Sequence, residues 1–297
     1  MFSGRQRNVF LLHITVLIWG FTGVLGELIT VSALPLVWFR VIIAALSLLI
    51  YFRFIKQPIG VSTSDLLKFL GVGLIVGLHW VLFFHAIKVS TVSVALVTLS
   101  AITLFTAILE PIFNKRRISL ADVAVGVIII FGIYLIFKFE FQYIQGIVFG
   151  LLAAFCAGIF AILNVRMVRK HSPTIITFYE MIGAFIGVSL VMLIGGQSSA
   201  ELILSAQDWA YLLLLGSVCT ALAYALSVSI MKELSAFAVA LATNMEPVYG
   251  ILIALLIFGD KETMSTGFYI GAVIVLSAVF LYPYLKAKFR KRKSVII

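Results

Sequence analysis

Apolar runs of membrane-crossing length follow one another along almost the whole chain, each closed by charged residues or by Gly, Pro and Ser. A helix needs roughly 20 mostly apolar residues to cross a hydrocarbon core of about 30 Å. The runs fall near residues 9 to 28, 36 to 54, 66 to 87, 93 to 113 and 120 to 137, then near 146 to 165, 175 to 194, 208 to 230, 236 to 258 and 267 to 285, and they predict ten transmembrane helices. With 63% of 297 residues apolar and 11% charged, a water-soluble domain would have to expose large apolar patches, so the solvent is lipid. Arg5 and Arg7 precede the first run as they would in a secretory signal. The run is too long for one and lacks an Ala-x-Ala pattern, so it reads as an uncleaved span. Cys156 and Cys219 both lie inside apolar runs, where neither a disulfide nor a thiolate metal site is indicated.

Lys and Arg accumulate in cytoplasmic loops. With the N-terminus inside, the cytoplasmic segments carry Arg5, Arg7, Arg53, Lys56, Lys68, Lys115, Arg116, Arg117, Arg166, Arg169, Lys170, Lys232 and the tail residues Lys286, Lys288, Arg290, Lys291, Arg292 and Lys293, which is 18 of the 22. Lys88, Lys138 and Lys261 fall outside, and Arg40 falls within the second span. The bias predicts both termini in the cytoplasm. It also accounts for the net charge of +10 as loop and tail charge beside anionic headgroups, with no nucleic acid as partner.

The two sets of five runs resemble each other. At an offset of 138, Gly20 meets Gly158 and Pro35 meets Pro173; at 145, Ser90 meets Ser235, Val94-Ala95-Leu96 meets Val239-Ala240-Leu241, and Gly126 meets Gly271. The change of offset places one insertion in the outer loop from Gly195 to Asp208, whose Gly-Gly-Gln-Ser-Ser-Ala-Glu composition reads as flexible and puts Ser198 outside. Five is odd, so the second copy enters the membrane from the opposite face. Inverted repeats of this kind build alternating access around a site near the midplane.

Particular residues carry a family likeness: Trp19-Gly20 in the first run, Pro35 followed by Arg40 in the second, Glu246-Pro247-Val248 in the ninth, and Phe258-Gly259-Asp260-Lys261-Glu262 leading to Gly271. In this order they resemble the drug/metabolite transporter superfamily in its EamA-like branch. The resemblance implies an all-α membrane protein of ten transmembrane helices, built as two inverted five-helix repeats around a central cavity. Spans one to four and six to nine would surround that cavity, with spans five and ten behind. The repeats are expected over residues 1–140 and 141–297, the second ending in the basic tail. Substrates across such a family include amino acids, their derivatives, sugars and drugs. The first repeat departs from the second: Ala101 and Ile102 stand where the second has Glu246 and Pro247, and Arg117 stands opposite Glu262.

Ionisable residues within the bilayer are costly and each needs a reason. Glu246 falls near the middle of span nine, roughly 15 Å from either end at 1.5 Å per residue, beyond reach of the headgroups. Ionisation there is disfavoured by desolvation unless a cation or donors compensate, so Glu246 is expected to bind a substrate amine or a proton. Pro247 cannot donate to the carbonyl one turn back and predicts a kink, while Thr243 and Tyr249 share the face of Glu246. Arg40 either pairs with Glu27 or attracts an anionic substrate group. Glu27 and Glu110 sit at span ends with a structural role, whereas Glu180 either pairs with Arg166 or Arg169 or serves a gate. Trp19, Thr22, Gly23 and Gly26 share one face of span one, a cavity wall or a packing seam; Gly73/Gly77 and Gly183/Gly187 read as packing seams. His79 and His85 are turned about 120° from each other on a helix and are not expected to share a metal. His79 and Trp80 are the cavity candidates of span three, and Tyr224 occupies the matching position of span eight.

The expected function is a secondary transporter, an exporter of small metabolites such as amino acids or their derivatives, working by alternating access in the plasma (inner) membrane. Its partners are a small-molecule substrate, the bilayer and, as candidate coupling ion, protons. The sequence shows no Gly-rich phosphate loop and no His-Glu-x-x-His pattern, so no catalytic residue, metal or cofactor is expected. The alternative is a membrane-embedded enzyme acting on lipid or lipid-linked substrates, which needs a cluster of His, Asp, Ser or Cys near one face. A channel would need a ring of repeated filter residues.

Overall fold

Helix starts are written into the sequence as Ser or Thr followed by a residue whose N–H it can accept. Ser119 and Ser205 form reciprocal boxes with Asp122 and Asp208, while Ser62, Thr91 and Ser235 each accept from the backbone three residues on. A computed structural model of the chain describes residues 4–196 and 202–294. Its helices are α1 (Gly4–Leu28), α2 (Ala33–Ile55), α3 (Thr63–Lys88), α4 (Val92–Leu99), α5 (Ile102–Phe113), α6 (Leu120–Phe139), α7 (Ile144–Met167), α8 (Pro173–Ile194), α9 (Ala206–Gly216), α10 (Ala223–Ile230), α11 (Ala236–Thr243), α12 (Glu246–Phe258) and α13 (Thr266–Ser294). Among the described residues nine segments are long and apolar enough to cross a membrane, from Phe10–Leu28 to Ala236–Glu262, and they follow the first nine runs of the sequence. The helix α13 carries a shorter apolar stretch, Thr266–Ala278. Ser198 and Ile297 lie outside the described residues.

Three of these segments are interrupted. In the ninth, α11 stops at Thr243 and α12 starts at Glu246, so the kink expected from Pro247 is a break. Lacking an N–H, Pro247 cannot continue the ladder; the chain tightens through a bond from the Met245 N–H to the Ala242 carbonyl (3.0 Å), and Glu246 and Pro247 then open a new helix, where proline is tolerated. The fourth segment breaks between α4 and α5, one residue on from the positions that the offset of 145 pairs with the first break. Three tight bonds mark it: Ser100 N–H to Val97 (3.2 Å), Ala101 N–H to Thr98 (3.1 Å) and Thr103 N–H to Ser100 (3.3 Å). In the eighth, a π-helical turn over Ser217–Leu222 joins α9 to α10, and the Thr220 hydroxyl donates to the Leu215 carbonyl at 2.6 Å.

Small residues let these helices approach closely. A Cβ on Gly73 would stand 2.9 Å from the Glu180 Cα and one on Gly77 3.0 Å from the Ala184 Cα, so α3 and α8 cross at backbone contact. Gly183 meets the Leu70 backbone and Gly187 the Leu74 side chain from the other helix. Gly132 of α6 and Gly271 of α13 face each other's carbonyls in the same way, and Gly20 of α1 packs on Tyr249 and Gly250 of α12. Gly23 and Gly26 pack on Val92 and Phe84, so that part of the α1 face is a seam. Large apolar side chains cover the outside, Phe54, Ile194 and Leu256 among them at more than 80% exposure, as lipid contact requires.

The α3–α8 seam yields a first prediction. Gly73→Val should force the helices apart and destabilise the protein by about 1–3 kcal/mol, the scale of overpacking. Thermal melting in detergent checks it, with Gly71→Val, where a side chain meets open space, expected to melt like the parent.

Candidate functional site

A central cavity of about 70 Å³ opens where the broken helices meet α1, α2, α3, α7 and α10, and its wall includes Trp19, Thr22, Arg40, His79, Trp80, Phe83, Phe160, Tyr224, Ser227, Thr243 and Glu246. Seven of the eight residues singled out in the sequence therefore line one space. Tyr249 does not: α12 restarts at Glu246, and one turn on, Tyr249 lies with its Cβ against Gly20 of α1.

Arg40 is 1% exposed. Its guanidinium carbon lies 4.1 Å from the centre of the Trp80 ring and 5.3 Å from that of Phe84, and its Nε donates to the Thr220 hydroxyl at 2.6 Å. The π-helical turn brings Thr220 to that place, and the flat guanidinium suits both ring and hydroxyl. Among the described residues its Nη1 has no hydrogen-bond partner. Glu27 does not pair with Arg40; it forms an ion pair with Lys261 at the edge of the helix bundle.

Glu246, 5% exposed, stands at the first position of α12, and among the described residues no hydrogen bond or ion pair engages its carboxylate. Thr243, one turn before it, turns its hydroxyl back to the Val239 carbonyl at 3.0 Å. His79 places Nδ1 2.8 Å from the Ala153 carbonyl, which can only accept, so Nδ1 carries the proton and the ring is fixed. Phe83 stacks on that ring at 6.3 Å and Phe160 meets it edge-on at 5.3 Å. Trp80 and Tyr224 contact each other at 5.9 Å. Aromatic faces, one carboxylate and one guanidinium together suit a small molecule carrying both charges and apolar surface. Among the described residues no group of three His, Cys, Asp or Glu side chains is placed to hold a metal; His85 packs edge-on to Phe149 instead.

The two ends of the bundle are tied by carboxylates. Glu262 accepts from the N–H of Val92 and of Ser93, both at 2.9 Å, and from the Ser93 hydroxyl at 2.7 Å, capping the start of α4. At the opposite end Glu110 accepts from the Phe237 N–H at 2.9 Å, capping the start of α11, with Arg116 at 3.7 Å. Asp208 accepts from the Thr30 N–H and hydroxyl, and Glu140 from the Ser265 N–H.

The sequence matches the model of the EamA-like transporter family in two segments, residues 6–138 and 144–283. The chain belongs to the EamA-like transporter family. This family falls within the drug/metabolite transporter superfamily, so the EamA-like chain is a multi-pass membrane protein of transporter type. A solved crystal structure is similar to it with a TM-score of 0.69 and 16% identity, over 95% of this chain and 99% of that one, a likeness of fold. No curated protein sequence matches the chain.

Sequence reading missed part of the site in this EamA-like chain. Thr220 carries no signal, because its position depends on a π-helical turn. Asn164, buried and 2.9 Å from the Tyr224 hydroxyl, is legible as a lone amide in an apolar run. Glu180 does not meet Arg166, which reaches the Phe113 carbonyl and Asn114; it lies 3.5 Å from Asn164.

Arg40→Lys keeps the charge and loses the planar face and the Nε donor. We expect a stability loss of about 2 kcal/mol, the scale of a desolvated cation–π contact with a charged hydrogen bond. Chemical denaturation in detergent checks it, with the exposed Arg53→Lys as the unaffected control.

Proposed function

We propose that this protein is a secondary transporter that exports small metabolites, amino acids or their derivatives, by alternating access around the central cavity. The observation that carries the reading is the unpartnered Glu246 carboxylate in the same cavity as the Arg40 guanidinium with its free Nη1. Arg40 receives a substrate carboxylate, Glu246 its ammonium, and Trp19, His79, Trp80 and Tyr224 enclose the apolar part, with Thr243 beside the break. Each charged group supplies what the other end of a zwitterion lacks once water is stripped away.

The architecture we propose is ten transmembrane helices in two inverted five-helix repeats, residues 1–140 and 141–297, with α13 as the tenth. Three observations support it: breaks in segments four and nine within one residue of matching positions, family matches to each half, and reciprocal caps in which Glu110 ties the start of α11 and Glu262 the start of α4. The Lys/Arg distribution supports an orientation with both termini in the cytoplasm and residence in the plasma membrane. A reporter fused after Ile297 should then read cytoplasmic; a reading from the opposite side overturns the orientation.

Counterflow in proteoliposomes, with a labelled amino-acid mixture as probe, tests the function. Glu246→Gln preserves shape and most hydrogen bonding and removes the charge, so exchange should fall about tenfold or more, the scale of a charge-assisted hydrogen bond worth roughly 1.5–3 kcal/mol. A folded Gln variant exchanging at the parental rate rules out Glu246 as the substrate carboxylate.

A further inference from the structure

Among the described residues most buried carboxylates have a visible task. Glu110, Glu140, Asp208 and Glu262 hold backbone N–H groups, and Glu246 lines the cavity. Glu180 does neither. It is 0% exposed on α8 and outside the cavity wall, with the Asn164 amide of α7 beside it. The Asn164 amide nitrogen is 2.9 Å from the Tyr224 hydroxyl and only 3.5 Å from Glu180 Oε2, while Glu180 Oε1 and Asn164 Oδ1 have no partner at all.

Tyr224 is the titratable side chain that faces this carboxylate. From α7 comes the neutral Asn164, from α3 the backbone of Gly73, and α2 sets Phe52 against the neighbouring Phe178. Arg40 of α2 is engaged with Thr220 and Trp80, and Asp65 pairs with His171 at the end of α3. Among the described residues no cation pairs with Glu180, and an unpaired buried charge is among the costliest arrangements a protein can hold.

A single proton on Glu180 replaces the unpaired buried charge with a neutral carboxylic acid, whose burial costs far less. Sodium fits worse, because Asn164 turns its N–H donor, and not its oxygen, toward both Glu180 and Tyr224. We propose that Glu180 is a proton-binding site, separate from the substrate carboxylate Glu246 and joined to the central cavity through the Tyr224 hydroxyl. Tyr224 shares the Asn164 amide with Glu180 on one side, 2.9 Å from the nitrogen that lies 3.5 Å from Glu180 Oε2, and lines the cavity on the other. On release, the Glu180 proton passes to the phenol oxygen while the phenol's own proton passes to cavity water, leaving a carboxylate and one proton more in the cavity. Use of this proton to drive export rests on the transporter reading, whereas the site itself does not.

The proton is the probe. Infrared difference spectra of the purified full chain, titrated across the neutral range, should show a protonated-carboxyl band that disappears with rising pH, is missing in Glu180→Gln and is retained in Glu246→Gln. The same band in the Glu180→Gln variant, a Glu180 band that never titrates, or one that responds to sodium at fixed pH would overturn the site. Should Glu180→Gln fail to fold, Tyr224→Phe serves: the band should persist with a displaced midpoint, and an unmoved midpoint rejects the link through Tyr224. A titrating band in a protein without counterflow activity would refute the transporter reading and leave the proton site standing.

Discussion

Lipid tails cannot hydrogen-bond, so every backbone group freed inside the bilayer must be answered by the protein itself. This chain frees many, because its fourth and ninth segments are each two short helices and its eighth carries a π-helical turn. Tight local bonds at Ser100, Ala101, Thr103 and Met245 answer part of them at the breaks, while at the two ends of the bundle the N–H groups that open α4 and α11 are met by carboxylates from the far end of the other broken segment, Glu262 and Glu110. Each segment therefore completes the other, and the cavity lies where both are interrupted. Uncapped, two short helices of eight residues would have little to hold their ends in an apolar solvent.

Close backbone crossings complement the breaks. Gly73 meets the Glu180 backbone, and Gly216 the Arg40 carbonyl, where a Cβ would come within 3.0 Å. The chain thus fixes its buried acid and its buried base by the same device, a glycine of the adjacent helix against the residue's own main chain. Side chains so anchored lose little further freedom on meeting a ligand, which is what preorganisation requires. Seven buried side-chain atoms lack partners among the described residues, on Thr22, Arg40, Asn164, Thr177, Glu180 and Asn244, all in segments that surround or adjoin the cavity.

Much of this was legible in the sequence, for reasons that also explain the rest. Apolar runs of bilayer length locate helices because hydrocarbon thickness is a fixed ruler, and the nine candidate spans follow them closely. The depth of Glu246 and Arg40 followed from counting residues, and the structure brings both to one cavity. What stayed hidden depended on the partner rather than the residue. Pro247 announces an irregularity in segment nine, but nothing in Ser100-Ala101 announces the break in segment four. Alignment of the halves set Arg117 opposite Glu262, yet Glu110, two helical turns earlier, performs the matching cap, since a cap is defined by reach and not by column. Tyr249 follows Glu246 by one turn of α12, but there α1 packs against it at Gly20 and closes it off from the cavity, a contact that no spacing in the sequence reveals.

The two reciprocal caps are unequal. Glu262 is 1% exposed and holds three donors, while Glu110 holds one and leans toward an Arg116 whose side chain is 67% exposed. On the proposed topology and transporter reading the better-capped closure is the outer one, and the bias expected of the empty protein is toward the state that loads from the cytoplasm. Affinity on that side is then undiminished by a prior conformational step, whereas the outward-facing state must be reached against the bias, lowering apparent affinity outside by the fraction of time it is occupied. Two capping carboxylates of different strength would make a nearly symmetric machine directional in its affinities before any gradient is applied.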